Sequence, residues 1–148
     1  MTRRLLILSL LIAASAPAAD PAPDKVVAYR QTLMSSTGRH MKAIGMIVKG
    51  EIDRPQDLEG HAAALHAASR DLTTLFPPTT GPDKLKTDAK AEVWTRWTDF
   101  ETAAKAFETE TAALLEAARK KDIDAFKAQF GKVGDSCGGC HEPFKTKH

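Results

Sequence analysis

Apolar residues recur through most of the chain at alternating steps of three and four, the spacing that places them on one face of an α-helix. The first stripe is Val27, Arg30, Met34, Thr37, Met41, Ile44 and Val48, with Asp24 as the expected N-cap and Gly50 as the expected stop. Pro55 suits the first turn of a second helix, whose stripe Leu58, His61, Leu65, Ala68, Leu72 and Leu75 must end at Pro77-Pro78. A connection rich in Pro, Thr and Gly follows, to about Thr87. The third and most apolar stripe, Val93, Trp97, Phe100, Ala104, Phe107, Thr111 and Leu114, closes at the basic cluster Arg119-Lys120-Lys121, which suits a helix C-terminus. Asp122 is placed to cap a fourth helix with the stripe Ile123, Phe126, Phe130, Val133, Cys137, Cys140 and Phe144. No segment alternates with period two, so no strand is expected. Four seams with mostly short connections predict an all-α, antiparallel four-helix bundle.

The fourth stripe carries both cysteines of the chain, in "GDSCGGCHEPFK". Three chemistries use thiols so spaced: a zinc site, a redox dithiol and covalent haem attachment. Two Cys and one His are too few for a closed structural zinc centre, and the other histidines lie far off in sequence. A redox dithiol belongs at the N-terminus of a helix after a strand, where the dipole activates the thiolate, whereas this pair sits late in a helix. A plain disulfide suits an oxidising compartment but leaves the adjacent histidine unexplained. Cys-x-x-Cys-His is the attachment signature of haem c, and helical geometry explains its spacing. Cys137, Cys140 and His141 stand at i, i+3 and i+4, so two sulfurs and an imidazole emerge on one face. The sulfurs can form thioethers to the two vinyl groups while the imidazole reaches the iron. Glycines 131, 134, 138 and 139 each cost about 1 kcal/mol of helix stability, which a flat macrocycle against the backbone would justify; the alternative is that they mark a loop.

Compartment follows from the first residues. Arg3 and Arg4 precede the apolar run Leu5 to Ala14, and small-residue cleavage candidates follow at Ala14-Ser15-Ala16 and Ala16-Pro17-Ala18. Residues 1–19 read as a secretory signal peptide, since the run falls short of the ~20 residues that span a bilayer. In a bacterium the exported protein occupies the periplasm, with no membrane span. Residues 20–148 form one domain. Removing residues 1–19 takes two of the 21 Lys and Arg and none of the 19 Asp and Glu, leaving 19 against 19. A formally neutral chain without basic-aromatic clusters gives no reason to expect nucleic acid.

A haem motif near the C-terminus of a helical bundle resembles the class II c-type cytochromes, the cytochrome c-prime family, over nearly all of residues 20–148. Within it, "YRQTLMSSTGRHMKAIGMIVKGE" is similar to the low-spin cytochrome c-556 branch, in which a methionine occupies the distal haem position. The resemblance implies one haem c held covalently by Cys137 and Cys140, with His141 and Met34 as the axial iron ligands. From the residues alone, Met41, Met46, His40 and His61 stay open beside Met34. Arg30 is a charge in an apolar seam and needs a partner. The resemblance implies a haem propionate; the other reading is a side chain that runs past the helix edge to water. Lys145 is implied to shield the His141 imidazole, whereas Pro143 is expected to kink or fray the last turn. Trp94 and Trp97 are expected as core or interface aromatics, and His66 and His148 as solvated.

The implied function is electron carriage rather than catalysis. His/Met-ligated iron would cycle between ferric and ferrous without losing a ligand and exchange electrons with redox partner proteins through the haem edge. The alternative is a high-spin, gas-binding cytochrome c-prime whose sixth iron site takes nitric oxide or carbon monoxide. The oligomeric state stays open, since the exposed faces of the first two helices can serve a homodimer or simply face water.

Overall fold

The computed structural model describes residues 20–147, so the expected signal peptide and His148 lie outside the described residues. Helix α1 spans Pro23–Val48, α2 Leu58–Ser69, the single turn α3 Glu92–Thr95, α4 Trp97–Arg119 and α5 Ile123–Phe144. The four long helices form the bundle that the seams predict. Among the described residues there is no strand, and one isolated antiparallel bridge joins Ala89 to Lys145.

Helix ends follow local chemistry. Pro23 occupies the first turn of α1, and its cap is Ala22, which has no side-chain oxygen to offer. The expectation that Asp24 caps this helix is therefore corrected: Asp24 lies inside the first turn, where its charge meets the positive end of the helix dipole. At the other end Gly50, at φ 73°, donates to Ile47 O at 3.0 Å and Glu51 donates to Met46 O at 2.9 Å, closing α1 with a Schellman turn. Lys121 closes α4 in the same way at φ 54°. Asp122 Oδ1 accepts from the Ala125 N–H at 3.0 Å and caps α5 as expected.

Two elements depart from their stripes. The second helix stops at Ser69, because Asp71 adopts a left-handed φ of 53° and Leu72–Leu75 is a 3-10 turn. Its buried seam is Leu58, Ala62, Leu65 and Ser69. His61 and Ala68, expected in the core, are only half-buried; the small Ala62 takes the inner position and lets the helices approach. The third stripe is broken at Arg96, whose φ of −126° and ψ of 48° separate α3 from α4. The Trp94 indole N–H donates to Phe76 O at 3.0 Å and fastens α3 onto the preceding segment. Ile123 was expected in the fourth seam but is 41% exposed, since it opens α5 beyond the end of α4.

Extensive packing joins α4 to α5, α2 to α4 and α1 to α2. Helix α1 meets α5 at Gly45, where an added Cβ would stand 4.0 Å from the Phe130 ring. Gly45 lies late in α1 and Phe130 early in α5, so these helices run antiparallel. Toward their opposite ends, side chains from both line a pocket.

Candidate functional site

This pocket has a volume of about 350 Å³. Helix α1 contributes Arg30 and Met34, α4 Phe100, and α5 Cys140, His141 and Phe144. The segment from Leu72 to Ala89 completes its wall. Cys137 stands one turn before Cys140, half-buried and packed against the core cluster, and is not among the lining residues.

Electrostatics at the motif separate the chemistries open to it. Burial raises the Cys137 pKa, and burial followed by the neighbouring Cys137 charge pushes Cys140 up to about 11. Both sulfurs are therefore protonated thiols near neutral pH, the reverse of what an activated redox dithiol requires. His141 is exposed as a residue, yet burial of its imidazole lowers its pKa, with the Lys145 charge as the second cause. A neutral ring keeps a lone pair free for a metal. Lys145 thus lies close enough to bias His141, and it also lines the pocket.

Arg30 is 3% exposed, so the reading in which it runs out to water is corrected. Nη1 donates to Leu75 O at 2.9 Å and to Thr80 Oγ1 at 3.1 Å. Nη2 donates to Thr87 Oγ1 at 2.7 Å and Thr80 O at 3.4 Å. Its Cζ lies 4.3 Å from the centroid of the Phe76 ring. All four of these acceptors are neutral oxygens, and they fix the guanidinium on the pocket wall. Sequence reading placed Leu75 in the second helical stripe and left Thr80 and Thr87 in a connection, and it missed all three as partners of Arg30; for the last two the signal was threonine hydroxyls, which accept readily.

The last turn of α5, expected to kink or fray at Pro143, is not frayed: the helix runs to Phe144 and Lys145 N–H donates to His141 O at 2.9 Å. Phe144 is buried, its carbonyl accepts from Lys90 N–H at 2.9 Å, and Thr146 N–H donates to Asp88 O at 2.8 Å. Lys90 Nζ also donates to Glu142 O at 3.0 Å. These bonds clamp the end of α5 onto the residue 88–90 segment and offset the donor that proline lacks.

Of the sixth-ligand candidates, only Met34 lines the pocket. Met41 packs half-buried on the core and Met46 is 38% exposed. His40 and His61 face one another, Nδ1 to Nδ1 at 2.9 Å. His66, expected to be solvated, is half-buried with Nδ1 3.5 Å from Thr111 Oγ1. Trp94 and Trp97 are half-buried against the core, as expected.

The donor set fits haem c: two thiols and a neutral imidazole within one helical turn, an apolar pocket beside them, and a buried cation on its wall. Glycines 131, 134, 138 and 139 lie inside α5 rather than in a loop, and a Cβ on any of them would meet no protein atom within 4 Å. All four are exposed, so close protein packing is not what calls for them.

A helical bundle with Cys-x-x-Cys-His on its last helix, beside an apolar pocket, defines a c-type cytochrome of the bundle class. Residues 25–145 match the family described as Cytochrome C', and the chain belongs to that family, whose cofactor is covalently bound haem c. It is 34% identical to the cytochrome c' of Rhodospirillum rubrum, over 97% of this chain and 99% of that protein. It is also 33% identical to the cytochrome c-556 of Rhodopseudomonas palustris, over 94% and 93% respectively. Among solved structures it resembles a nitric oxide complex of a cytochrome c prime variant from Alcaligenes xylosoxidans, with a TM-score of 0.79 and 27% identity over 88% of this chain and 100% of that one.

Proposed function

We propose that this protein is a periplasmic haem c protein that binds nitric oxide or carbon monoxide at the sixth iron position, on the Met34 side of the pocket. The observation that carries this reading is the pocket itself, in which Met34 of α1 shares one apolar space with Cys140 and His141 of α5. The likeness to a cytochrome c prime variant holding nitric oxide supports the same side of the choice. Residues 1–19 serve as the export signal, and among the described residues no helix is long and apolar enough to cross a membrane.

Each residue then has a role. Cys137 and Cys140 hold the macrocycle through thioethers, and His141 supplies the imidazole nitrogen. Arg30 offsets a propionate charge from the pocket wall. Phe100, Phe144 and Val93 keep water from the iron, and Met34 sets how much room a diatomic ligand finds. The haem supplies an iron that binds such ligands and exchanges one electron.

A second reading is favoured by the cytochrome c-556 relative and by the sulfur in the pocket: Met34 ligates the iron, and the protein carries electrons. Electron paramagnetic resonance of the ferric holoprotein separates the two. A high-spin signal is expected for the gas-binding protein. A low-spin signal with a thioether charge-transfer band in the optical spectrum would transfer the assignment to the electron carrier.

A further inference from the structure

Away from the pocket, α1 and α2 bring two imidazoles together. His40 and His61 approach Nδ1 to Nδ1 at 2.9 Å, with ring centroids 5.2 Å apart and planes inclined by 58°. Both are half-buried, hence reachable from solvent, and neither lines the haem pocket. The helices beneath them are fixed by Thr37 and Ile44 on α1 and by Ala62 and Leu65 on α2, all buried. With both rings neutral, one Nδ1 donates and the other accepts. A cation replaces that shared hydrogen if the donor ring moves its proton to Nε2, so no net proton need be released.

The two nitrogens are close enough to share one metal ion. Metal–nitrogen bonds of about 2.0 Å at a cis angle of about 90° place two nitrogens about 2.8 Å apart, whereas a tetrahedral angle needs about 3.3 Å. The 2.9 Å of the hydrogen-bonded pair puts both nitrogens within a small ring rotation of a shared tetragonal ion, and the affinity order of divalent metals favours copper(II) among them. Asp57, one turn before His61, is paired with Arg54, from which its carboxylate accepts at 2.8 and 3.1 Å, and its charge couples to His61. Among the described residues no three His, Cys, Asp or Glu gather into a metal-holding group, so water completes the coordination.

We propose that His40 and His61 form a second metal site, a two-imidazole seat for one cupric ion that bridges α1 and α2, independent of the haem.

Cupric chloride titrated into the haem-loaded protein, with isothermal calorimetry and electron paramagnetic resonance as readouts, tests it. The expected result is one equivalent bound, with a cupric signal split by imidazole nitrogens. His40→Gln and His61→Gln should each weaken binding by about tenfold or more, while His66→Gln binds as the wild type does. Zinc chloride should bind more weakly than copper. No uptake by the wild type, or unchanged affinity in both the His40 and His61 variants, overturns the proposal.

Discussion

Arg30 Nη2 donates to Thr87 Oγ1 at 2.7 Å, tying the first helix to a segment 57 residues further along the chain. Together with its bonds to Leu75 and Thr80, this one guanidinium holds the pocket wall in place. Replacing it strands several buried acceptors. Arg30→Met should cost about 2–4 kcal/mol in denaturant unfolding of the holoprotein. Arg30→Lys should recover only part of this, because a single ammonium cannot fork across both Thr80 and Thr87. An Arg30→Met protein as stable as the wild type would show that the wall stands without it.

Lys121 closes α4 at φ 54°, a left-handed conformation that costs an L-residue roughly 1 kcal/mol. Its N–H still donates to Ala118 O at 3.0 Å, so the turn itself is sound. Lys121→Gly should therefore raise stability by about 1 kcal/mol in thermal unfolding and leave the haem spectrum unchanged.

Helical seams and the haem motif were legible because both are local: a period of three and four residues, and three donors within one turn. What escaped the sequence was tertiary. Nothing in the pattern joins Arg30 to Thr80 and Thr87, or His40 to His61, since each pair meets only when separate elements pack. Pro143 was read from its missing donor and its effect on Glu142, and the bonds that hold the turn, from Lys90 to Phe144 and Glu142 and from Thr146 to Asp88, join it to a segment distant in sequence. In α2 the buried seam passes through Ala62, next to the His61 that the three-four stripe had placed there.

His40 should make stability depend on pH. Burial lowers its pKa first, and the His61 charge lowers it further; the carboxylate of Asp57, paired with Arg54, couples to His61. The unfolded chain, with an ordinary value near 6.5, then binds the proton more readily than the folded one. Stability should fall as pH drops through about 6.5 and level off below the folded value. Unfolding curves collected across this range should be flatter for His40→Gln. An equal slope in the variant would remove His40 as the cause.

Met34 limits the space beside the iron in the gas-binding reading. Met34→Ala should enlarge the pocket, speed carbon monoxide association with the ferrous protein by about tenfold or more, and cost about 2 kcal/mol at this half-buried position. Met41→Ala, whose side chain does not line the pocket, should leave the association rate near that of the wild type. Equal rates in all three proteins would show that Met34 does not guard the site.

Carbon monoxide titration of the ferrous wild-type holoprotein, followed by the Soret band, tests the central claim most directly. Saturable conversion to a six-coordinate carbonyl spectrum, one ligand per haem, is the predicted result. A ferrous spectrum that is already low-spin and unmoved by carbon monoxide would contradict it, and would assign Met34 to the iron as the ligand of an electron carrier.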